Sequence, residues 1–181
     1  MKKNTIILTF LLAANLIFSQ KMMTRNGEIR FEANVPSFEE VAATNNTVSS
    51  ILDTSNGDLV ALALIKAFHF KVPLMEEHFN ENYIESSKFP KATFKGKILN
   101  FDASKLSSEK TIYNMEGELT LHGVTKKIKT KLVLVSNSGK VFLSCNFVVK
   151  PQDFNIEIPS LVKNKIAENV TITVNFVLEK K

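Results

Sequence analysis

Apolar and polar side chains alternate along most of this chain. In "ENVTITVNFVLE", Val170, Ile172, Val174, Phe176 and Leu178 alternate with Thr171, Thr173, Asn175, Val177 and Glu179. Period two of this kind predicts a strand with one wet face. "KVFLSCNFVV" repeats it with Val141, Leu143, Cys145, Phe147 and Val149, and Pro151 ends the run. In "KIKTKLVLV", Lys127, Lys129 and Lys131 take one side, while Ile128, Thr130, Leu132 and Leu134 take the other. "MEGELTLHG" places Met115, Gly117, Leu119 and Leu121 on one face. Continuing that alternation assigns His122 to the polar face with Glu116, Glu118 and Thr120, with local hydrogen bonding at the turn as its expected role, ahead of contact with a ligand at a barrel mouth and of catalysis.

Turn residues separate these runs. Asn26-Gly27, Asn56-Gly57 and the Asn137 to Gly139 stretch each lie between strand-like segments and predict tight hairpins, so neighbouring strands are expected to be antiparallel. The pattern predicts eight or nine strands, near 21–25, 28–35, 47–54, 58–70, 92–101, 111–121, 126–135, 140–149 and 168–179. Three stretches read as short helices. "PSFEEVAA" has Ser37 three residues before Glu40, "PLMEEHFNENYI" opens at Pro73, and "PSLVKNKIA" opens at Pro159 with Ser160 as a cap. The fold class is therefore all-β. Strands near ten residues long favour an antiparallel barrel of about eight strands over a sandwich, and its interior holds packed side chains or one small ligand.

The first twenty residues stand apart from this alternation. "MKKNTIILTFLLAANLIFSQ" has a basic start, an apolar run from Ile6 to Phe18 and a small residue at Ser19, the pattern of a cleaved secretory signal. The run is too short to serve as a comfortable membrane span, and no cysteine near the cut invites lipid attachment. Residues 1–20 are thus expected to be removed and 21–181 to form one barrel domain in the periplasm or outside the cell, without a stable membrane anchor.

Composition narrows the function. The chain has 181 residues, 14 of them Phe and none Trp, so a barrel interior would be strongly apolar. Net charge is +5, and loss of Lys2 and Lys3 leaves about +3, spread along the chain, which gives no support to nucleic-acid binding. The one cysteine, Cys145, cannot form an internal disulfide and falls on an apolar strand face, where a thiol behaves as a small hydrophobe. Phosphate-cradling glycine loops and the nucleophile-elbow pattern are missing, and no two of the three histidines have a zinc-ligand spacing. No catalytic residue, metal ligand or cofactor is assigned. An enzyme built from His78, Glu81 and His122 around a metal is one alternative, and a filled-core barrel without ligand is another.

Two segments carry a family resemblance. "GELTLHGVTKKIKTKL" resembles the strand-turn-strand signature of the YceI-like family, and "EEHFNENYIESSKFPKATFKGKI" resembles the same family's helix, F-P-x-A-T-F junction and following strand. The resemblance implies a lipocalin-like exported barrel that holds a polyisoprenoid or another long-chain amphiphile. Near the end, "VKPQDFNIEI" keeps Asp153, Phe154 and Ile156 of the family's N-R-x-D-F-G-I-like stretch, lacks its Arg and has Asn155 where Gly stands. The early segment "SSILDTSNGDL" lacks a histidine that many members carry, and both departures bear on the head group. The expectation is a non-enzymatic protein that encloses an isoprenoid or fatty-chain lipid, lined by Phe31, Phe94, Ile98, Leu119, Leu121, Leu132, Leu143, Ile172 and Val174, with Phe79 and Tyr83 as a lid. Oligomeric state is left open.

Overall fold

The computed structural model describes residues 21–36 and 38–180, so the signal-like segment and Ser37 lie outside the described residues. The chain forms β1 (Lys21–Glu32), β2 (Ala42–Asp53), β3 (Asp58–Leu64), β4 (His69–Phe70), β5 (Lys91–Ile98), β6 (Thr111–Leu121), β7 (Val124–Asn137), β8 (Lys140–Val149) and β9 (Val170–Lys180). One short helix, α1 (Pro73–His78), continues as a wider π turn through Tyr83. Strand order is β1-β9-β8-β7-β6-β5-β3-β2, every pairing is antiparallel, and β1 pairs back onto β2. The result is a closed eight-strand barrel. The two-residue β4 lies beside the start of β2, with Phe70 opposite Ala43.

Closure gives each of the eight wall strands a neighbour on both sides, although β7 and β8 pair only between Leu132 and Cys145 and their hairpin. Two turns show why the chain reverses where it does. Ser138 and Gly139 join β7 to β8 with φ of 51° and 77°, and His122 and Gly123 join β6 to β7 with φ of 49° and 74°. Positive φ at both central residues gives the turn whose twist matches the flanking strands.

The expected alternation holds on β8 and β9: Val141, Leu143, Cys145 and Val149 are buried on one strand and Val174, Phe176 and Leu178 on the other. Four expectations are corrected. Asn26-Gly27 is no hairpin, because β1 runs straight through it with register shifts on either side of Gly27. The missing side chain there admits a ring instead: a Cβ on Gly27 would lie 2.5 Å from Phe176 Cδ1. The predicted 58–70 strand breaks at Ile65, where a 3₁₀ turn lets Ile65 and Phe68 dive inward before β4 forms. Of "PSFEEVAA", residues 38–41 are a loop leading into β2, since pairing of Ala42 with Glu32 and Ala43 with Phe31 outweighs local helix preference, and the expected cap, Ser37, lies outside the described residues. Its Glu40 bonds the Arg30 and Lys71 side chains rather than capping a turn. "PSLVKNKIA" is a series of turns, with Val162 N–H donating to Pro159 and Lys165 N–H to Val162.

The two ends of the barrel differ in filling. At the end of the β2–β3 and β7–β8 hairpins, Leu52, Ile98, Leu132, Leu134, Val141 and Leu178 are at most 1% exposed and fill the interior. The opposite end carries the long connections 33–41, 65–90 and 150–169. Here Ile65, Ile84, Val149, Phe154 and Ile156 form a second cluster. Between the clusters lies unfilled space.

Candidate ligand-binding cavity

The barrel encloses a partly open cavity of about 380 Å³. That volume is at the lower end of the roughly 300–1,000 Å³ of pockets that bury small ligands. Its wall comes from the inward faces of the strands and from the three long connections, and it is apolar almost throughout. Among the described residues no Asp or Glu borders it.

Small side chains make the room. Ala61 and Ala63 on β3 and Ala92 on β5 border the cavity, and Gly96 on β5 faces Gly117 on β6. The Phe94 ring lies over this glycine pair, because a Cβ on either glycine would come within 2.4 Å of Phe94 Cζ. An aromatic plate laid flat on two glycines keeps the sheet covered while occupying little of the lumen.

Rings also close the mouth. Phe31 from β1, Phe68 and Phe70 from the broken strand, and Phe79 from the π turn form a cluster with centroid separations of 5.3 to 6.4 Å. Tilted and edge-on packing at these distances is favourable beyond area burial. Tyr83 and Ile84 continue the wall from the same segment, so the helix after Pro73 does lie across one end of the barrel.

Of the sequence-derived positions, Phe31, Phe79, Tyr83, Phe94, Leu119, Leu121, Leu143, Ile172 and Val174 border the cavity. Ile98 and Leu132 do not. They face inward as the alternation required, but at the packed end, where both are 0% exposed. Period two tells inside from outside and not one end of a barrel from the other. Sequence reasoning passed over Phe68, Phe147, Phe154 and Cys145, which also line the space. Phe147 and Cys145 were legible on the inward face of β8. Phe68 and Phe154 come from 3₁₀ segments that no strand period reaches.

Cys145 is buried, and that burial pushes its thiol up to about 11. The thiol is therefore part of the apolar wall rather than a nucleophile at neutral pH.

His122 does not sit on the wet face. Its left-handed backbone swings the ring inward, where 9% of the side chain is exposed. Nδ1 lies 3.0 Å from the Phe154 carbonyl oxygen and Nε2 lies 2.9 Å from Glu85 Oε2. The Phe89 ring packs at 4.3 Å between centroids. His122 thus pins the β6–β7 turn to two other connections, 32 and 37 residues away in sequence. The bond from His122 holds Glu85 below the ordinary carboxylate range, with Lys88 adding to the effect. Asn155, which follows Phe154, adopts φ of 55°, a conformation that suits Gly first and Asn next.

The metal alternative finds no cluster. His78 borders the cavity mouth, His122 is engaged with Glu85, and among the described residues no group of three or more His, Cys, Asp or Glu side chains could hold a metal ion.

Comparison with known proteins bears on the same barrel. The model of the YceI-like domain family matches residues 19–178. A polyisoprenoid-binding domain from Saccharophagus degradans, implicated in plant cell wall breakdown, superposes with a TM-score of 0.78 at 15% identity over 90% of this chain and 99% of that one. BcnA of Burkholderia cenocepacia gives 0.68 at 15% identity, covering 84% and 95%, and a YceI protein of Campylobacter jejuni gives 0.64 at 18%, covering 82% and 90%. Among curated proteins none matches by sequence. At these identities the structural likeness establishes the fold.

Proposed function

The chain belongs to the YceI-like domain family, and we propose that its barrel is a container for one long apolar chain, a polyisoprenoid or a fatty chain, in a protein exported to the periplasm or beyond. The observation that carries this reading is the 380 Å³ cavity with an almost wholly apolar wall inside a closed barrel. Support comes from the Saccharophagus degradans relative, which is described as a polyisoprenoid-binding domain. The basic and apolar pattern of residues 1–20 supports export.

The mechanism is burial. Each methylene taken from water contributes roughly 0.8 kcal/mol, so a chain of about ten contributes on the order of 8 kcal/mol before the cost of ordering it. An almost wholly apolar wall offers few polar groups to orient a reacting bond, which argues for binding rather than catalysis. The single short closure α1 and the ring cluster at the mouth cover the chain once it is inside.

Mass spectrometry of organic extracts from protein isolated from its natural host tests the reading, with an unrelated exported protein as control. A stoichiometric isoprenoid or fatty-chain species is expected. Extracts that stay empty after incubation with such lipids would overturn it in favour of the ligand-free barrel.

A further inference from the structure

The cavity wall is nearly uniform, and its two basic side chains are therefore informative. His78 borders it from the end of α1 and Lys165 from the 150–169 connection, both exposed at the mouth. Lys165 is carried on a strip whose Ile158, Val162 and Ile166 border the same space, so its stem lies along the apolar rim and its ammonium at the border with water.

Several basic side chains at this end have an acidic neighbour. Lys71 pairs with Glu40, Lys163 pairs with Glu168 at 3.9 Å, and His69 lies 3.3 Å from Glu76. Lys66 and Lys150, on the same connections, have no ion-pair partner among the described residues either, but of these three lysines the one that borders the cavity is Lys165. Among the described residues no carboxylate lies within ion-pair distance of it, and none borders the cavity. An uncompensated cation beside a low-dielectric wall attracts an anion more strongly than one surrounded by water.

We propose that the cavity selects amphiphiles with an acidic head, a phosphate or a carboxylate, whose anion pairs with Lys165 at the mouth while His78 stands on the same rim as a second donor. This specificity rests on the container reading above. The tail supplies affinity and the head supplies orientation, since a chain that enters head first would bury its charge among Phe and Leu side chains without a partner.

The test compares four probes of one chain length on the delipidated exported protein, all below their micelle thresholds: palmitate, hexadecyl phosphate, 1-hexadecanol and hexadecyltrimethylammonium. The two acids are expected to bind roughly tenfold tighter than the alcohol, the scale of one charge-assisted contact at a partly wet site. The better of the two acids identifies the head. Lys165→Gln is expected to erase that margin without changing the alcohol, Lys165→Glu to favour the ammonium probe, and Lys163→Gln to leave the order intact. Equal binding of acid and alcohol, or a margin that survives Lys165→Gln, overturns the acidic-head proposal and leaves the container standing. Failure of all four probes removes the container and this proposal with it.

Discussion

Where Asn137 turns into Lys140, the inward positions of the barrel hold Leu132, Leu134, Val141 and Leu178, each at most 1% exposed. Toward the other end, the inward positions of β3, β5 and β6 include Ala61, Ala63, Ala92, Gly96 and Gly117, and the space they leave is covered by rings from the connections. Pairing of β3, β5 and β6 runs through both halves, whereas β7 and β8 part beyond Leu132 and Cys145 toward the hollow end. Along β3, β5 and β6 the difference lies in side-chain volume, which shows that closing a barrel and filling it are separate decisions. Large aliphatics at one end supply the packing that stabilises the fold, and small residues at the other create the cavity at the expense of contacts.

Substitutions chosen by end should separate stability from uptake. Leu132→Ala at the packed end is expected to cost about 2–5 kcal/mol of unfolding free energy, because the void cannot collapse in a closed barrel. Lipid recovered per folded molecule should stay near the wild-type level. Leu121→Asp at the cavity end is expected to do the reverse, abolishing uptake with a smaller change in the denaturation midpoint, because Leu121 is half exposed at the end of β6. Undiminished uptake by a folded Leu121→Asp protein would detach the cavity from function.

Filling is the next test. Ala61→Phe places a ring where β3 now offers a methyl group to the cavity. The expected outcome is a folded protein with a thermal midpoint within a few degrees of wild type, since about 1–3 kcal/mol of crowding cost is offset by new apolar burial. Lipid content in extracts should fall to background. If lipid content is unchanged, the hollow end holds its ligand elsewhere.

The sequence made the two halves unequally legible. β8 and β9 could be read residue by residue, because large apolar side chains recur without a break at every second, inward position. Inside and outside were therefore clear, and this is why nine of the eleven proposed lining positions border the cavity. The packed-end location of Ile98 and Leu132 was not legible, since it depends on strand length and stagger around the whole barrel. Phe68 and Phe154 enter the wall from 3₁₀ segments, and Gly27 is a seat for Phe176 rather than a turn. His122 shows the same limit at one residue: a two-residue turn with positive φ redirects the ring, and its partners Glu85 and Phe154 are distant in sequence.

A smaller effect ties the connections of the hollow end together. Glu85 is held below its ordinary range chiefly by the His122 bond, so the contact contributes fully above the ordinary carboxylate range and fades as pH falls through the lowered value. Glu85→Gln should remove that acid-side dependence. In urea titrations from pH 7 to pH 3, the midpoint of wild type is expected to fall further than that of the variant, and parallel curves would show that the bond is not coupled to folding.

The smallest change is expected at the packed end, and it has the opposite sign. The Tyr113 hydroxyl is buried without a hydrogen-bond partner, on a ring 8% exposed that packs 5.9 Å from Phe101 between centroids. Burial first, and the charge of Asp102 second, push its phenol above the ordinary tyrosine range, as expected for a group whose ionised form has nothing to receive it. A buried hydroxyl that loses its water bonds and gains none opposes folding, while the ring that carries it contributes like the neighbouring hydrophobes. Tyr113→Phe keeps the ring and removes the cost, so it should raise stability by up to about 1 kcal/mol with no change in lipid content. A loss of stability would mean that the hydroxyl is bonded in solution, most simply through a trapped water, and that the packed end is less solid than its side-chain volumes indicate.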